Sequence, residues 1–520
     1  MITGTSARKG LRRTGIGVLG ALVAGLTVLG VATPAHAAPG PGANPGGANP
    51  VGGKHWRFDA SAMAVTDVSR VIGADLLGRA GVTGAGVGVA LIDTGVVSVP
   101  GLPADRILNG PDLSLDSPTT AARYLDTYGH GTHLAGIIAG SGPGFQGVAP
   151  GVTLTSVKVG AFDGAVDVSQ VIAALDWVVE HRNDNPAHPI RVVNLSYGTD
   201  GNQSYLTDPL THAVENAWRA GIVVVAAAGN GGTATPRLTN PAYDPYVLAV
   251  GATDPNGTVG TNDDLLADFS SRGDATRGVD LVAPGRSIVS LRDPGSYVDE
   301  ANPSARVEDR FFKGSGTSQA AAVVSGAVAL LLQARPELTP DQVKAVLTRS
   351  ATKLSHVDAG QGAGELNLTR AIGTPARNTT QTFARSTGTG SLEASRGTAH
   401  LALNDTVLSG ENTLFGPFDS ATWAAASSAG TAWVGGRWMG RALTGDSWTG
   451  TSWTGLTWSG LTWSGLTWSG LTWSGLTWSG LTWSGLTWSG LTWSGLTWSG
   501  LTWSGLTWSG LTWSSQSWDN

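Results

Sequence analysis

Between residues 87 and 228 the chain alternates short, nearly unbroken runs of Val, Ile, Leu and Ala with longer segments of helical period. The spacing predicts strands over 87–92, 154–159, 191–196 and 222–228, and helices over 130–139, 168–180 and 210–220. A strand that is apolar at every position has no face to offer water, so it must lie in a sheet covered on both sides. The helices between such strands supply both the cover and the crossover. The expectation is an α/β fold of three layers around a mostly parallel central sheet. In sheets of this kind ligands bind beyond the carboxyl ends of the strands. Asp93, Ser196 and Asn230 stand at three such ends. Residues 320–332 form a further apolar run, too short to span a bilayer, which reads as a buried central helix. Thr339 followed by Pro340 marks the start of another helix.

Three motifs lie on this frame: Val89-Ala-Leu-Ile-Asp-Thr-Gly95, Tyr128-Gly-His-Gly-Thr-His-Leu-Ala-Gly136 and Gly314-Ser-Gly-Thr-Ser-Gln-Ala320. They supply Asp93, His130 and Ser318. A hydroxyl is a poor nucleophile near neutral pH until a base takes its proton, and a histidine serving as that base needs a carboxylate to fix its tautomer. Each residue alone has an ordinary structural use. Asp93 would suit a turn after a strand, His130 and Ser318 a helix cap, and Asn230 a left-handed turn before Gly231. Together the four match one hydrolytic constellation. His133, one helical turn beyond His130, is assigned to structure.

In identity, order and spacing the motifs resemble those of the subtilisin-like serine proteases, the subtilases, over about residues 58–372. The resemblance implies a subtilisin-like fold and a secreted serine endopeptidase working through an acyl-enzyme on Ser318. His130 would take the serine proton and return it to the leaving amine, while Asp93 orients the imidazole and stabilises its cation. Asn230, in Ala226-Ala-Ala-Gly-Asn230, matches the side-chain donor of the oxyanion hole, with the Ser318 N–H as its partner. Asn194-Leu-Ser-Tyr-Gly198 resembles the strand that pairs with extended polypeptide substrate. Ser196, Tyr197 and Gly198 are thus expected along one wall of the specificity pocket, and Ala227, Ala228 and Gly229 along the other. No charged residue lies in these stretches, which favours an apolar or neutral substrate side chain. The chemistry requires no cofactor. A structural calcium ion would be in keeping with the family, although no ligand loop is evident in the sequence. The chain departs from the family after the nucleophile, where Met-Ala-x-Pro-His is usual and Gln319-Ala-Ala-Ala-Val323 stands here.

Export is expected from the N-terminus. Arg8, Lys9, Arg12 and Arg13 precede an apolar stretch over 16–31, and Ala35-His36-Ala37 has the form of a signal cleavage site. The mature chain would begin at Ala38, keep no transmembrane anchor, and act outside the cell or at its surface. The absence of cysteine excludes disulfides, thiolate metal sites and a cysteine nucleophile. A net charge of −6 over 520 residues gives no footprint for nucleic acid.

The expected organisation is a signal peptide over 1–37, a Pro/Gly-rich linker over 38–57, a catalytic domain over 58–372, a Ser/Thr/Ala-rich β-type segment or linker over 373–445, and Trp-containing repeats over 446–520. Residues 455–514 are twelve consecutive copies of Gly-Leu-Thr-Trp-Ser. A turn at each glycine would stack them as a solenoid, and the pentad resembles the pentapeptide-repeat β-helix pattern, with Trp where a small or polar residue is usual. Exposed Trp would suit cell-wall glycan or a surface partner, and a low-complexity spacer is the plainer alternative. Two further readings stay open. One is a weakly active or inactive subtilase-fold surface protein that binds through the tail. The other is an acyl-enzyme captured by an amine rather than by water.

Overall fold

The computed structural model describes residues 62–444 apart from 120, 235, 236, 357, 399, 404 and 405, together with the backbone of short strands between residues 447 and 517. The expected signal peptide and linker, and most of the repeat tail, lie outside the described residues.

Seven parallel strands form the central sheet: β1 (Gly88–Asp93), β2 (Ile107–Asp112), β3 (Thr153–Lys158), β4 (Ile190–Leu195), β5 (Val223–Ala227), β6 (Leu248–Asp254) and β7 (Leu281–Pro284). Their order is β2-β3-β1-β4-β5-β6-β7, and the two-residue strand Leu265–Leu266 runs antiparallel beside the end of β6. The predicted strands are present to within a residue or two. Val89, Ala90, Leu91 and Ile92 are all 0% exposed, so β1 is covered on both faces, as its unbroken apolar run requires. β1 pairs with β3 on one side and β4 on the other. The chain therefore changes direction across the sheet at β1, and a crevice opens at its carboxyl end. Asp93 is the last residue of that strand.

Five helices matter for the site: α1 (His130–Ala139), α2 (Val168–His181), α3 (Pro209–Arg219), α4 (Thr317–Ala334) and α5 (Pro340–Ser350). α1 packs on α4 against one face of the sheet, and α2 packs on α3 against the other. α4 is buried from Thr317 to Leu332, which explains why its sequence is apolar all round. Its approach is an antiparallel pair, β8 (Ile288–Leu291) with β9 (Phe311–Gly316), and β9 runs directly into the helix. α5 begins where Thr339 and Pro340 predict it. The Thr339 hydroxyl accepts the Gln342 N–H, and the Gln342 side chain returns a bond to the Thr339 N–H.

Among its described residues the stretch over 373–445 holds two helices, α6 (Leu392–Arg396) and α7 (Ser420–Ala429), as well as short hairpins, and it docks on α2 and α3. Asp176 of α2 accepts hydrogen bonds from Trp423 Nε1 at 2.8 Å, Trp438 Nε1 at 2.9 Å and Ser427 Oγ at 2.5 Å. Trp433 Nε1 donates to Ala173 O at 2.7 Å. Burial pushes the Asp176 carboxyl up to about 6, against the pull of its three donors. The small residues of this stretch carry no clear period. Trp423 and Trp438 pack on Phe415 and Phe418 of the same stretch, while their indole N–H groups find a partner on a helix far away in sequence.

In the tail, strands Thr467–Ser469, Thr472–Ser474 and Thr477–Gly480 pair in parallel with Thr487–Ser489, Thr492–Ser494 and Thr497–Gly500. Each pairing joins residues twenty positions apart, the length of four pentads.

Candidate active site

Asp93 ends β1 and His130 opens α1, and the two meet. His130 Nδ1 donates to Asp93 Oδ1 at 2.7 Å, and both residues are 0% exposed. The same carboxylate oxygen accepts the Thr94 N–H at 2.8 Å. A fully buried carboxylate is costly unless its acceptors are used, and these bonds fix its orientation.

The turn leading to His130 is set by a second carboxylate that the sequence did not single out. Asp126 accepts from Thr94 Oγ1 at 2.7 Å, Gly129 N at 2.7 Å and Thr132 N at 2.6 Å. Burial pushes its carboxyl above the ordinary value, and the three donors pull it back. Thr94 Oγ1 also accepts the Gly131 N–H at 2.9 Å. The residue after Asp93 thus ties the strand end to the first turn of the helix carrying His130. Lys158, level with Asp93 on the neighbouring β3, is a further missed residue. Its ammonium donates to Thr94 O at 2.8 Å and pairs with Asp116 at 3.1 Å, with both side chains buried. Its strand, Thr153-Leu-Thr-Ser-Val-Lys158, already carries three hydroxyl side chains, so the lysine gives no distinct signal in the sequence.

Ser318 is the second residue of α4, in its first turn, where aligned N–H groups favour developing negative charge. Its Oγ lies 3.4 Å from Ser196 O, and Ser196 Oγ lies 3.3 Å from Ser318 O. α1 and α4 pack together, so His130 and Ser318 stand in the first turns of two contacting helices. Asn230 follows β5, and its Oδ1 accepts the Thr317 N–H at 2.9 Å and the Thr317 hydroxyl at 3.0 Å. The side-chain NH2 is thereby oriented by the residue adjoining Ser318. Thr317 Oγ1 in turn accepts the Gly229 N–H at 3.2 Å. Thr317 had no assigned role in the sequence, yet it joins the start of α4 to the residues that follow β5.

The six residues assigned from sequence to the substrate walls lie at the ends of two neighbouring strands. Ser196, Tyr197 and Gly198 follow β4, and Ala227, Ala228 and Gly229 follow or end β5, all buried. Asn194, within the sequon Asn194-Leu-Ser196, is also buried, and its side chain bonds Ser196 Oγ and Ser325 Oγ. Two backbone segments near Ser318 carry added strands from the tail. Thr512–Trp513 pairs antiparallel with Tyr197–Gly198, and Ser515–Ser517 pairs antiparallel with Ser315–Gly316. Gln319 to Val323, where the sequence departs from the family pattern, continue α4 without interruption and are buried. Among the described residues no group of three or more His, Asp or Glu side chains is arranged to hold a metal ion.

His133 is wholly buried in α1. Burial, and then the charge of His130, holds its imidazole down to about 3. The folded chain therefore carries it neutral, whereas the unfolded chain protonates it below about 6.5. The stability from this group is fully present above the unfolded value and falls as the pH drops toward 3. The slope from this one proton is about 1.4 kcal/mol per pH unit. Urea unfolding of the Ser318→Ala chain across that window checks it. His133→Gln is expected to remove close to one proton from the slope, and an unchanged slope contradicts the assignment.

The subtilase family model matches residues 84–364. Serine protease AprX of Bacillus subtilis (strain 168) is 40% identical over 300 residues, which is 56% of this chain and 67% of that protein. Subtilisin BL of Lederbergia lenta is 35% identical over 289 residues, 55% of this chain and 91% of that protein. The extracellular serine proteinase of Thermus sp. (strain Rt41A) is 37% identical over 286 residues, 55% of this chain and 60% of that protein.

Proposed function

The chain belongs to the subtilase family and is a serine endopeptidase, and from that premise we propose that Asp93, His130 and Ser318 form its catalytic triad. The observation that carries the reading is the 2.7 Å contact of Asp93 with His130 at a buried strand end. Ser318 attacks the scissile carbonyl, and its proton passes to His130 Nε2. Asp93 holds the Nδ1–H tautomer and stabilises the imidazolium. The tetrahedral oxyanion takes hydrogen bonds from Asn230 Nδ2 and the Ser318 N–H at the start of α4. Collapse of this intermediate returns the proton to the leaving amine, and water repeats the sequence on the acyl-enzyme.

Asn230 carries a specific test. Asn230→Ala is expected to lower kcat by roughly 10²–10³, the size found for this donor in subtilisin, while KM moves little. Steady-state kinetics on a peptide amide check it. A kcat within about threefold of wild type would remove Asn230 from the oxyanion hole.

The substrate is extended polypeptide, held along Ser196–Tyr197–Gly198 and Ala227–Ala228–Gly229. The antiparallel strand of residues 512–513 on Tyr197–Gly198 supports this, because backbone pairing of that kind serves any extended chain and leaves selectivity to pockets. The tail and substrate would then compete. A chain ending at residue 511 is expected to show a lower KM for a tetrapeptide amide than the full chain. An equal KM means substrate does not use that strand.

Export follows from the charged and apolar N-terminus and its Ala35-His36-Ala37 site, and it accords with relatives named extracellular. The segments over 1–37 and 38–57 are the proposed signal and linker, 58–372 the catalytic domain, and 446–520 an appendage of repeats.

A further inference from the structure

We infer that Ser395 and Arg396, on a segment beyond the residues matched by the family model, are positioning residues for the two walls that hold substrate. The inference rests on the proposed role of those walls.

Both side chains lie on α6, both are 0% exposed, and both reach back into the catalytic layers. The Ser395 hydroxyl donates to Asp208 Oδ1 at 3.0 Å and lies 3.3 Å from Asn240 Nδ2, which donates to it. Asn240 Nδ2 also donates to Asp208 Oδ2 at 3.0 Å. The Ser395 carbonyl accepts the Thr199 hydroxyl at 2.6 Å. Thr199 immediately follows the Ser196–Gly198 wall, and its backbone exchanges two 2.9 Å hydrogen bonds with Asn240. One serine therefore grips both members of the Thr199–Asn240 bridge.

Thr239, next to Asn240, sits between the walls. A Cβ on Gly198 would lie 2.4 Å from Thr239 Oγ1, and one on Gly229 would lie 2.7 Å from Thr239 Cγ2. Both walls therefore need glycine where Thr239 touches them, and Thr239 acts as their spacer. It is further fixed to the second wall by its N–H to Ala228 O at 3.1 Å. The chain of contact runs from Ser395 through Asn240 and Thr239 to Gly198 and Gly229.

Arg396 secures the segment itself. Its guanidinium meets Asp167 with Nε at 2.6 Å and donates to Gly410 O at 2.6 Å. Asp167 caps α2, and Gln170 of the same cap donates to Val159 O at the end of β3. A buried ion pair whose remaining valences are filled fixes geometry more than it adds stability. Here it holds α6 against the helix cap behind the site.

Backbone pairing with substrate requires both walls at hydrogen-bond distance, and misplacement by a fraction of an ångström costs rate. A ligand that reaches only Ser318 is insensitive to their spacing. The test compares a tetrapeptide amide with a single-residue acyl ester on the full chain, wild type, Ser395→Ala and Thr199→Val. The wild type is expected to prefer the tetrapeptide strongly. Ser395→Ala should raise the tetrapeptide KM about tenfold while ester kcat/KM and fluorophosphonate labelling rate stay within about twofold. Thr199→Val, which removes the bond to the Ser395 carbonyl without loss of volume, should act in the same direction and carries the test if Ser395→Ala does not fold. A lower Tm with an unchanged ratio of tetrapeptide to ester kcat/KM would overturn the inference and leave a purely structural role. A wild type with no tetrapeptide preference would instead overturn the reading of the walls.

Discussion

Ser318→Ala is expected to lower kcat on a peptide amide by about a millionfold, the scale recorded for loss of the triad serine in subtilisin, with KM nearly unchanged. In the proposed site the nucleophile is lost while the walls and the oxyanion donors stay. A residual rate roughly 10³–10⁴ above the uncatalysed reaction should persist, because those groups still bind and polarise the carbonyl. Steady-state kinetics with a sensitive amide substrate measure it. The fold should be kept, since the substitution removes one hydroxyl from the first turn of a helix that is buried along its length, and a melting temperature checks it. Loss of less than about a hundredfold would mean that another group attacks the carbonyl.

Asp93→Asn is expected to cost about 10⁴ in kcat, again with little change in KM. In the proposed triad the carboxylate has two tasks. It accepts the His130 Nδ1–H at 2.7 Å, which leaves Nε2 as the base, and its charge stabilises the imidazolium formed during acylation. An amide of the same shape removes the charge and can present an NH2 to the ring, which favours the wrong tautomer. Because Asp93 is fully buried and also accepts from Thr94 N, the control is a melting temperature. A folded Asp93→Asn chain retaining more than about a tenth of wild-type kcat would show that His130 does not depend on this carboxylate.

The parts of the fold and site read most directly from sequence are those set by local pattern. β1 and β5 are apolar along nearly their whole length, and the alternation of parallel strands with helices puts the carboxyl ends of β1, β4 and β5 side by side. Asp93, Ser196 and Asn230 follow from it, and the motifs add His130 and Ser318. Thr94, Asp126, Lys158 and Thr317 were not legible, because each acts through a hydrogen bond to backbone or to another side chain. Nothing in the residue type distinguishes a buried Thr317 joining Asn230 to Gly229 from any threonine at a helix start. The segment over 373–445 was obscure for a different reason. Its Trp423 and Trp438 are satisfied by Asp176, and its Ser395 by Asp208 and Asn240, all far away in sequence. Such pairings leave no period in the local sequence.

The central claim is that Ser318 is the nucleophile of a site assembled by Asp93, His130 and Asn230. The most direct measurement is exhaustive labelling of the full chain with a fluorophosphonate, followed by intact mass and peptide mapping, beside Ser318→Ala. The account predicts a single adduct, on Ser318, and none on the variant. A folded wild-type chain that takes no adduct, or takes it on another residue, would contradict it.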